Sequence, residues 1–124
     1  MTETIRITWP GGFVSAALRN TPTAAKLLAA LPCTAHAHTW GEEVYFALPV
    51  EAALEQDAQQ VVEPGTVCFW VEGASLALPF GATPIAQKRE SRLVTKCNVL
   101  GKIDGDPKAL AGIRDGDAIK VSRE

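Results

Sequence analysis

Positive charge is not in excess in this chain: twelve Lys and Arg stand against fourteen Asp and Glu, and the two signs are interspersed. A nucleic-acid partner needs a basic stripe or face, so none is expected. Long apolar runs are also missing, and no stretch approaches the ~20 residues that span a bilayer. The opening Met1–Arg6 lacks the charged and apolar regions of a signal peptide, so the expectation is a cytoplasmic protein without a membrane partner. Cysteine is scarce: Cys33, Cys68 and Cys97 are odd in number, widely spaced and form no CxxC pair. Buried free thiols in a reducing compartment fit this better than disulfides or a zinc site. Glycine-rich phosphate loops and nucleophile–base pairs at a diagnostic spacing are absent too. Neither a cofactor nor a metal is expected.

What is present is the material of one domain, residues 1–124, with 47% hydrophobic side chains, enough to build a core without staples. The pattern starts with Ile5–Trp9, which alternates apolar and polar like a half-buried strand. Pro10-Gly11-Gly12 turns it into a second strand, Phe13–Leu18. Thr21 is placed to cap a helix with Pro22 at its first position. Ala24, Leu27, Leu28 and Leu31 lay one apolar stripe along it, and Pro32 ends it. Such a helix needs a surface to cover, and the open end of a sheet or barrel is the expected one.

Two aromatic-rich blocks follow, Thr39–Val50 and Val61–Pro84, holding Trp40, Tyr45, Phe46, Phe69, Trp70 and Phe80. From Thr34 the chain reads as a strand, a break at Gly41, and a second strand. In this second strand Val44, Phe46 and Leu48 share the core face, and Glu43, Tyr45 and Ala47 share the other. Glu51–Gln60 has no periodicity and is expected to be a long, mobile connection with at most one helical turn. Glu63-Pro64-Gly65-Thr66 is a turn, Val67–Val71 a central strand, and Glu72-Gly73 leads into Ser75–Leu78. A surface loop is expected over Ile85–Arg92. Leu93–Ile103 is a strand with a bulge or a close backbone approach at Gly101. A short helix starts at Asp106-Pro107 and stops at Gly112, and Ala118–Val121 is the last strand. About eight short strands and two short helices favour a mostly β, closed antiparallel barrel.

Several residue groups carry candidate chemistry. His36 and His38, two apart on a strand, would face one side together with Trp40 and, with Glu42 or Glu43, make a metal site; exposure between small alanines is the simpler reading. Glu42 and Glu43 point to opposite faces of a strand, so they do not act as an acid–base pair. A carboxylate beside Trp40 that faced a pocket would have a raised pKa. Trp40, Tyr45, Trp70 and Phe80 converge from different strands if they share a rim. Lys88, Arg89 and Arg92 project from the charged loop after Thr83-Pro84, and Asn98 is a polar residue on an apolar strand that fixes a backbone group or reads a ligand.

The order and spacing of TWGEEVYF at Thr39–Phe46, Pro49-Val50, VVEPGTV at Val61–Val67, Trp70, LPFGATP at Leu78–Pro84, and Asn98–Ile103 resembles the small prokaryotic cyclophilin-like barrel proteins. This family is distinct from the true peptidyl-prolyl isomerases. The resemblance covers nearly the whole chain and implies an eight-stranded, mostly antiparallel barrel closed by helices, with no settled activity. The catalytic set of the true isomerases has no counterpart here: Glu42–Pro49 contains no arginine or glutamine, no Gln-Gly-Gly run follows, and both histidines come early.

The expectation is therefore a cyclophilin-like barrel that binds a small molecule or short peptide without catalysis. Its pocket would be formed by Trp40, Glu42, Tyr45, Trp70, Phe80, Thr83 and Asn98. The alternatives are a weak prolyl isomerase, a metal-dependent enzyme using the histidines, or a homo-oligomeric interaction module.

Overall fold

The computed structural model describes residues 3–124. Met1 and Thr2, the start of the segment read for a leader, lie outside the described residues. The chain opens with the hairpin of β1 (Glu3–Trp9) and β2 (Gly12–Leu18), paired in register from Glu3 opposite Leu18 to Trp9 opposite Gly12. Period-two alternation turns Ile5, Ile7 and Trp9 of one strand and Val14, Ala16 and Leu18 of the other into the core. Phe13 stays on the outside, where the Arg6 guanidinium covers its ring at 4.1 Å.

Helix α1 spans Pro22–Ala30. The Thr21 side chain accepts a hydrogen bond from the Ala24 amide at 3.1 Å, and Pro22 occupies the first turn, where a missing N–H costs nothing. The stripe predicted from spacing is the buried one, with Ala24 and Leu27 fully covered.

Next, the chain divides where one strand with a single break was expected. β3 (Cys33–His36) pairs with the final strand, and β4 (His38–Thr39) pairs with β5 (Glu43–Ala47). The corner is Ala37, fully buried, whose N–H donates to Asp117 at 2.8 Å while its carbonyl accepts from Gly116 at 2.7 Å. This corner separates the two histidines. His36 lies opposite Ala118 and His38 opposite Tyr45, and among the described residues no three His, Cys, Asp or Glu groups gather in a metal-holding arrangement.

The stretch expected to be a loose connection is instead tied down. Asn98, with no solvent exposure, accepts from the Glu55 amide at 2.8 Å and donates to Thr23 Oγ1 and the Ala53 carbonyl, both at 2.9 Å. Glu55 in turn accepts from the Thr23 amide and hydroxyl at the start of α1. A buried network with all its groups paired holds the connection against the helix. Beyond it comes β6 (Gln59–Val62), a strand that the polar sequence concealed.

β7 (Thr66–Trp70) and β8 (Ser75–Pro79) form the second hairpin. The long β9 (Ser91–Asp104) follows the loop from Phe80 to Glu90. A 3-10 helix over Pro107–Gly112 is capped by Asp106, and β10 (Ala118–Arg123) completes the fold. Strand order is β3-β10-β1-β2-β9-β7-β8-β5-β4, with every pairing antiparallel and β6 added to β9. Because β3 and β4 are the two ends of that order and adjoin in sequence, the sheet nearly closes at Ala37. The result is a nearly closed antiparallel barrel of nine strands with two helices. α1 and the 3-10 helix contribute Leu27 and Leu110 to its core. Among the described residues no helix is long and apolar enough to cross a membrane.

β9 serves two layers. From Asn98 onward it is a barrel strand between β2 and β7, and its first half, Ser91–Cys97, instead pairs with β6. Val67 lies opposite Gly101 and Cys68 opposite Val99, so Leu100 is an extra residue that kinks the strand. Gly101 also allows a close approach, since a Cβ there would meet the Ala17 carbonyl oxygen at 2.0 Å. The β6–β9 ribbon thus lies on the outside of the barrel and builds a second small core. In it Val62, Leu93 and Cys97 pack over Cys68 and Ala77, with Tyr45, Trp70 and Val99 at the margin.

Candidate functional site

The site lies in that outer layer. Along β5, Val44 and Phe46 enter the barrel, so Glu43 and Tyr45 must emerge on its outer face. Sheet register places Tyr45 opposite Ala77 of β8, and Ala77 opposite Cys68 of β7. These last two side chains are small, so the outer surface dips between the rings of Tyr45 and Trp70. Leu93, Val94 and Cys97 of the ribbon form another wall, and Trp40, in the turn after β4, completes the rim. The space between them is a half-open cavity of about 150 Å3 lined by Trp40, Glu43, Tyr45, Trp70, Ala77, Leu93, Val94 and Cys97.

Its rings are held in fixed relation. Tyr45 and Trp70 meet edge to face, with centroids 6.2 Å apart and planes at 85°, and His38 stacks on Tyr45 at 5.2 Å. Trp70 lies over the backbone of Gly73, where a Cβ would come within 2.3 Å of the indole. That glycine is what allows the ring to lie flat beside the cavity.

Glu43 gives the cavity its electrostatic character. The residue is 6% exposed, and among the described residues its Oε1 atom has no hydrogen-bond partner. Burial pushes its pKa from an ordinary 4.5 up to about 7, and no neighbouring cation opposes the shift. No lysine or arginine lines the cavity. Arg92, beside Leu93 on β9, is paired with Glu90 at 3.0 Å. The Cys97 thiol is pushed up to about 12, first by burial and then by the carboxylates of Glu43 and Glu72. Cys68 is likewise raised well above the usual thiol range, by burial and then by Cys97 and Glu43. Both thiols are therefore neutral at physiological pH and act as small apolar packing groups. Cys33 is buried and unpaired elsewhere, as these two are here.

Of the residues expected to form a pocket, Trp40, Tyr45 and Trp70 come together here. The other four line other parts of the fold. Glu42 is exposed and braces a turn: its carboxylate accepts from the Ala82 amide at 3.1 Å, and its backbone bonds to Ala82 and Phe80. Phe80 packs on the barrel core. Thr83, buried, donates to the Arg92 carbonyl, and Asn98 is spent in the network with Glu55, Thr23 and Ala53. Unbroken strand alternation from Trp40 would set Glu42 on the ring's side. Gly41, with φ of 59°, breaks the strand between them, so the alternation does not carry across. The signal that does point to Glu43 is its position two residues before Tyr45, downstream of the break. Leu93, Val94 and Cys97 carried no signal of their own, because only the pairing of β9 with β6 brings them over the sheet.

A second, open depression of about 420 Å3 crosses β1, β10 and β3, with Thr8, Thr34, His36 and Lys120 among its lining residues. It holds no buried ionisable group.

Fold and site together describe a small, nearly closed barrel with a lateral cavity roofed by an accessory ribbon. The cyclophilin-like family profile matches residues 3–122, and the chain belongs to that family. The hypothetical protein AF2241 from Archaeoglobus fulgidus, known from a solution structure, is similar over 99% of this chain and 95% of its own, with 31% identity and a TM-score of 0.85. McbB, in a structure with tryptophan, shares the fold at 19% identity and a TM-score of 0.70, over 97% of this chain and 44% of McbB. No significant match is found among curated proteins.

Proposed function

We propose that this protein binds a small molecule in the cavity bounded by Glu43, Trp40, Tyr45 and Trp70, without catalysing its conversion. The observation that carries this reading is the buried Glu43 carboxylate with an unpaired oxygen at an aromatic wall. Leaving such a group unpaired costs about 1–3 kcal/mol or more, and a bound ligand can recover that cost. The remaining walls are apolar and supply contact area, while one polar group fixes orientation, a common division of labour in small-ligand sites. A cavity of about 150 Å3 is also the size that holds a benzene-sized molecule. That a tryptophan complex exists for McbB, on the same fold, is consistent with a role in small-molecule binding.

The test is a fragment screen followed by amide and indole NMR of the labelled protein. Hits should shift Glu43, Tyr45, Cys97 and the indole signals of Trp40 and Trp70 together. Shifts gathered instead around His36 and Lys120, or no hits at all, would refute the assignment. A proline peptide in the same screen should leave these signals unmoved and its own cis–trans exchange unaccelerated, which separates this reading from a prolyl isomerase.

A further inference from the structure

The geometry points to a small organic cation, an ammonium on a compact apolar body, as the class of ligand this cavity takes, with Glu43 as its counter-ion. This rests on the reading above that the cavity is a ligand site. Three aromatic residues border the space, and two of them, Tyr45 and Trp70, stand at 85° to each other, so their faces and edges meet a central guest from different directions. An aromatic face attracts a cation through its quadrupole, most strongly where water is excluded. The same walls would hold a neutral apolar guest by contact alone, so the rings do not settle the question by themselves.

The carboxylate decides it. Glu43 is almost fully buried, lines this space, and has neither a hydrogen bond at Oε1 nor a basic side chain facing it. A buried carboxylate is normally paired, and among the described residues no basic side chain lines the cavity to pair with this one. A cationic guest supplies it. The remaining lining consists of Ala77, Leu93, Val94 and the neutral Cys97 thiol, none of which competes for a positive charge.

Entry of the cation is coupled to a proton. Below about pH 7 the empty site holds Glu43 as a neutral acid, so binding releases its proton to solvent as the cation arrives and the charge inside the cavity stays at zero. Above that pH the carboxylate is already ionised and no proton is exchanged. The other titratable groups near Glu43 are the adjacent Glu42, whose carboxylate turns to the Ala82 amide, Tyr45 on its own strand with His38 stacked upon it, Cys68 on β7, and Cys97 on β9. Glu72 raises the Cys97 thiol further, and Arg92 on the ribbon pairs with Glu90 through one terminal nitrogen, while its buried Nε has no partner among the described residues.

The experiment compares choline with 3,3-dimethylbutan-1-ol, its uncharged isostere, by NMR titration of the full chain. At about pH 8 choline should shift the Trp40 and Trp70 indole signals with an affinity tenfold or more above that of the alcohol. Below about pH 7 its affinity should fall roughly tenfold per pH unit, while that of the alcohol stays level. Glu43→Gln, which keeps His38 and both thiols, should erase the preference for choline over the alcohol and its pH dependence. Equal affinities would overturn the cation assignment and leave a small-molecule site standing. A choline preference that survives Glu43→Gln would also overturn it, as would choline shifting neither indole. If the variant does not fold, the pH profile of the wild-type protein decides alone.

Discussion

Glu43 sets a stability cost that depends on pH. Its pKa is higher in the folded chain, at about 7, than the ordinary 4.5 of the unfolded one. Between those values the folded state holds more protons, so stability falls as pH rises through the interval. The glutamate is fully tolerated below about pH 4.5 and costs most above pH 7, where the gap amounts to ~3 kcal/mol. Glu43→Gln removes the ionisation but buries an amide, which returns part of the gain. The expected result is stabilisation by about 1–3 kcal/mol at pH 8 and none at pH 5, read from urea midpoints at both pH values. At this scale the sequence was partly legible. Tyr45 and Trp70 declared themselves as rings with one face to account for, and Glu43 was set correctly on the same face as Tyr45. Glu42 was misplaced because a single glycine with positive φ breaks the alternation. Asn98 read as a polar group that fixes the backbone or, less often, reads a ligand, and its partners Glu55 and Thr23 lie far away in sequence.

The hairpin of β7 and β8 positions one of the cavity's two indoles, Trp70, and Gly73 in its turn is the element-level determinant. In Gly73→Ala the new Cβ would lie 2.3 Å from the Trp70 indole, so the ring must tilt away. The Trp70 indole signal should move, and ligands of the cavity should bind about tenfold more weakly, with the β-sheet amides little changed. An unchanged indole signal would show that the ring does not rest on this turn. Elements with local signals were legible: the β1–β2 hairpin through Pro10-Gly11, α1 through Thr21 and Pro22, and the β7–β8 pair through Glu72-Gly73. β6 was hidden because Gln59 and Gln60 are polar and its pairing partner, the first half of β9, starts at Ser91, beyond the intervening hairpin and loop. A ribbon made by non-local pairing leaves no period in either segment, and the roof of the cavity was invisible for that reason.

The barrel as a whole provides two environments on opposite faces of the same strands. Inside, Ile5, Ile7, Val44, Phe46, Phe69 and Leu76 are fully buried and pack together as the main core. Outside, Ala77 of β8 and Cys68 of β7 leave a dip between Tyr45 and Trp70, and the ribbon walls that dip into a half-open cavity with a buried carboxylate. Barrel architecture was legible from the count of short strands and turns. The near-closure at Ala37 was not, because it depends on adjacent short strands choosing partners at opposite ends of the sheet.

The cavity must keep Glu43 dry enough to hold an unpaired carboxylate, and the direct test is a carbon-13 NMR titration of the Glu43 side-chain carboxyl in the ligand-free protein. A midpoint near 7, well above the other glutamates, is the predicted result. A midpoint near 4.5 would mean that water or a basic group already satisfies Glu43, and the case for this cavity as the binding site would fall with it.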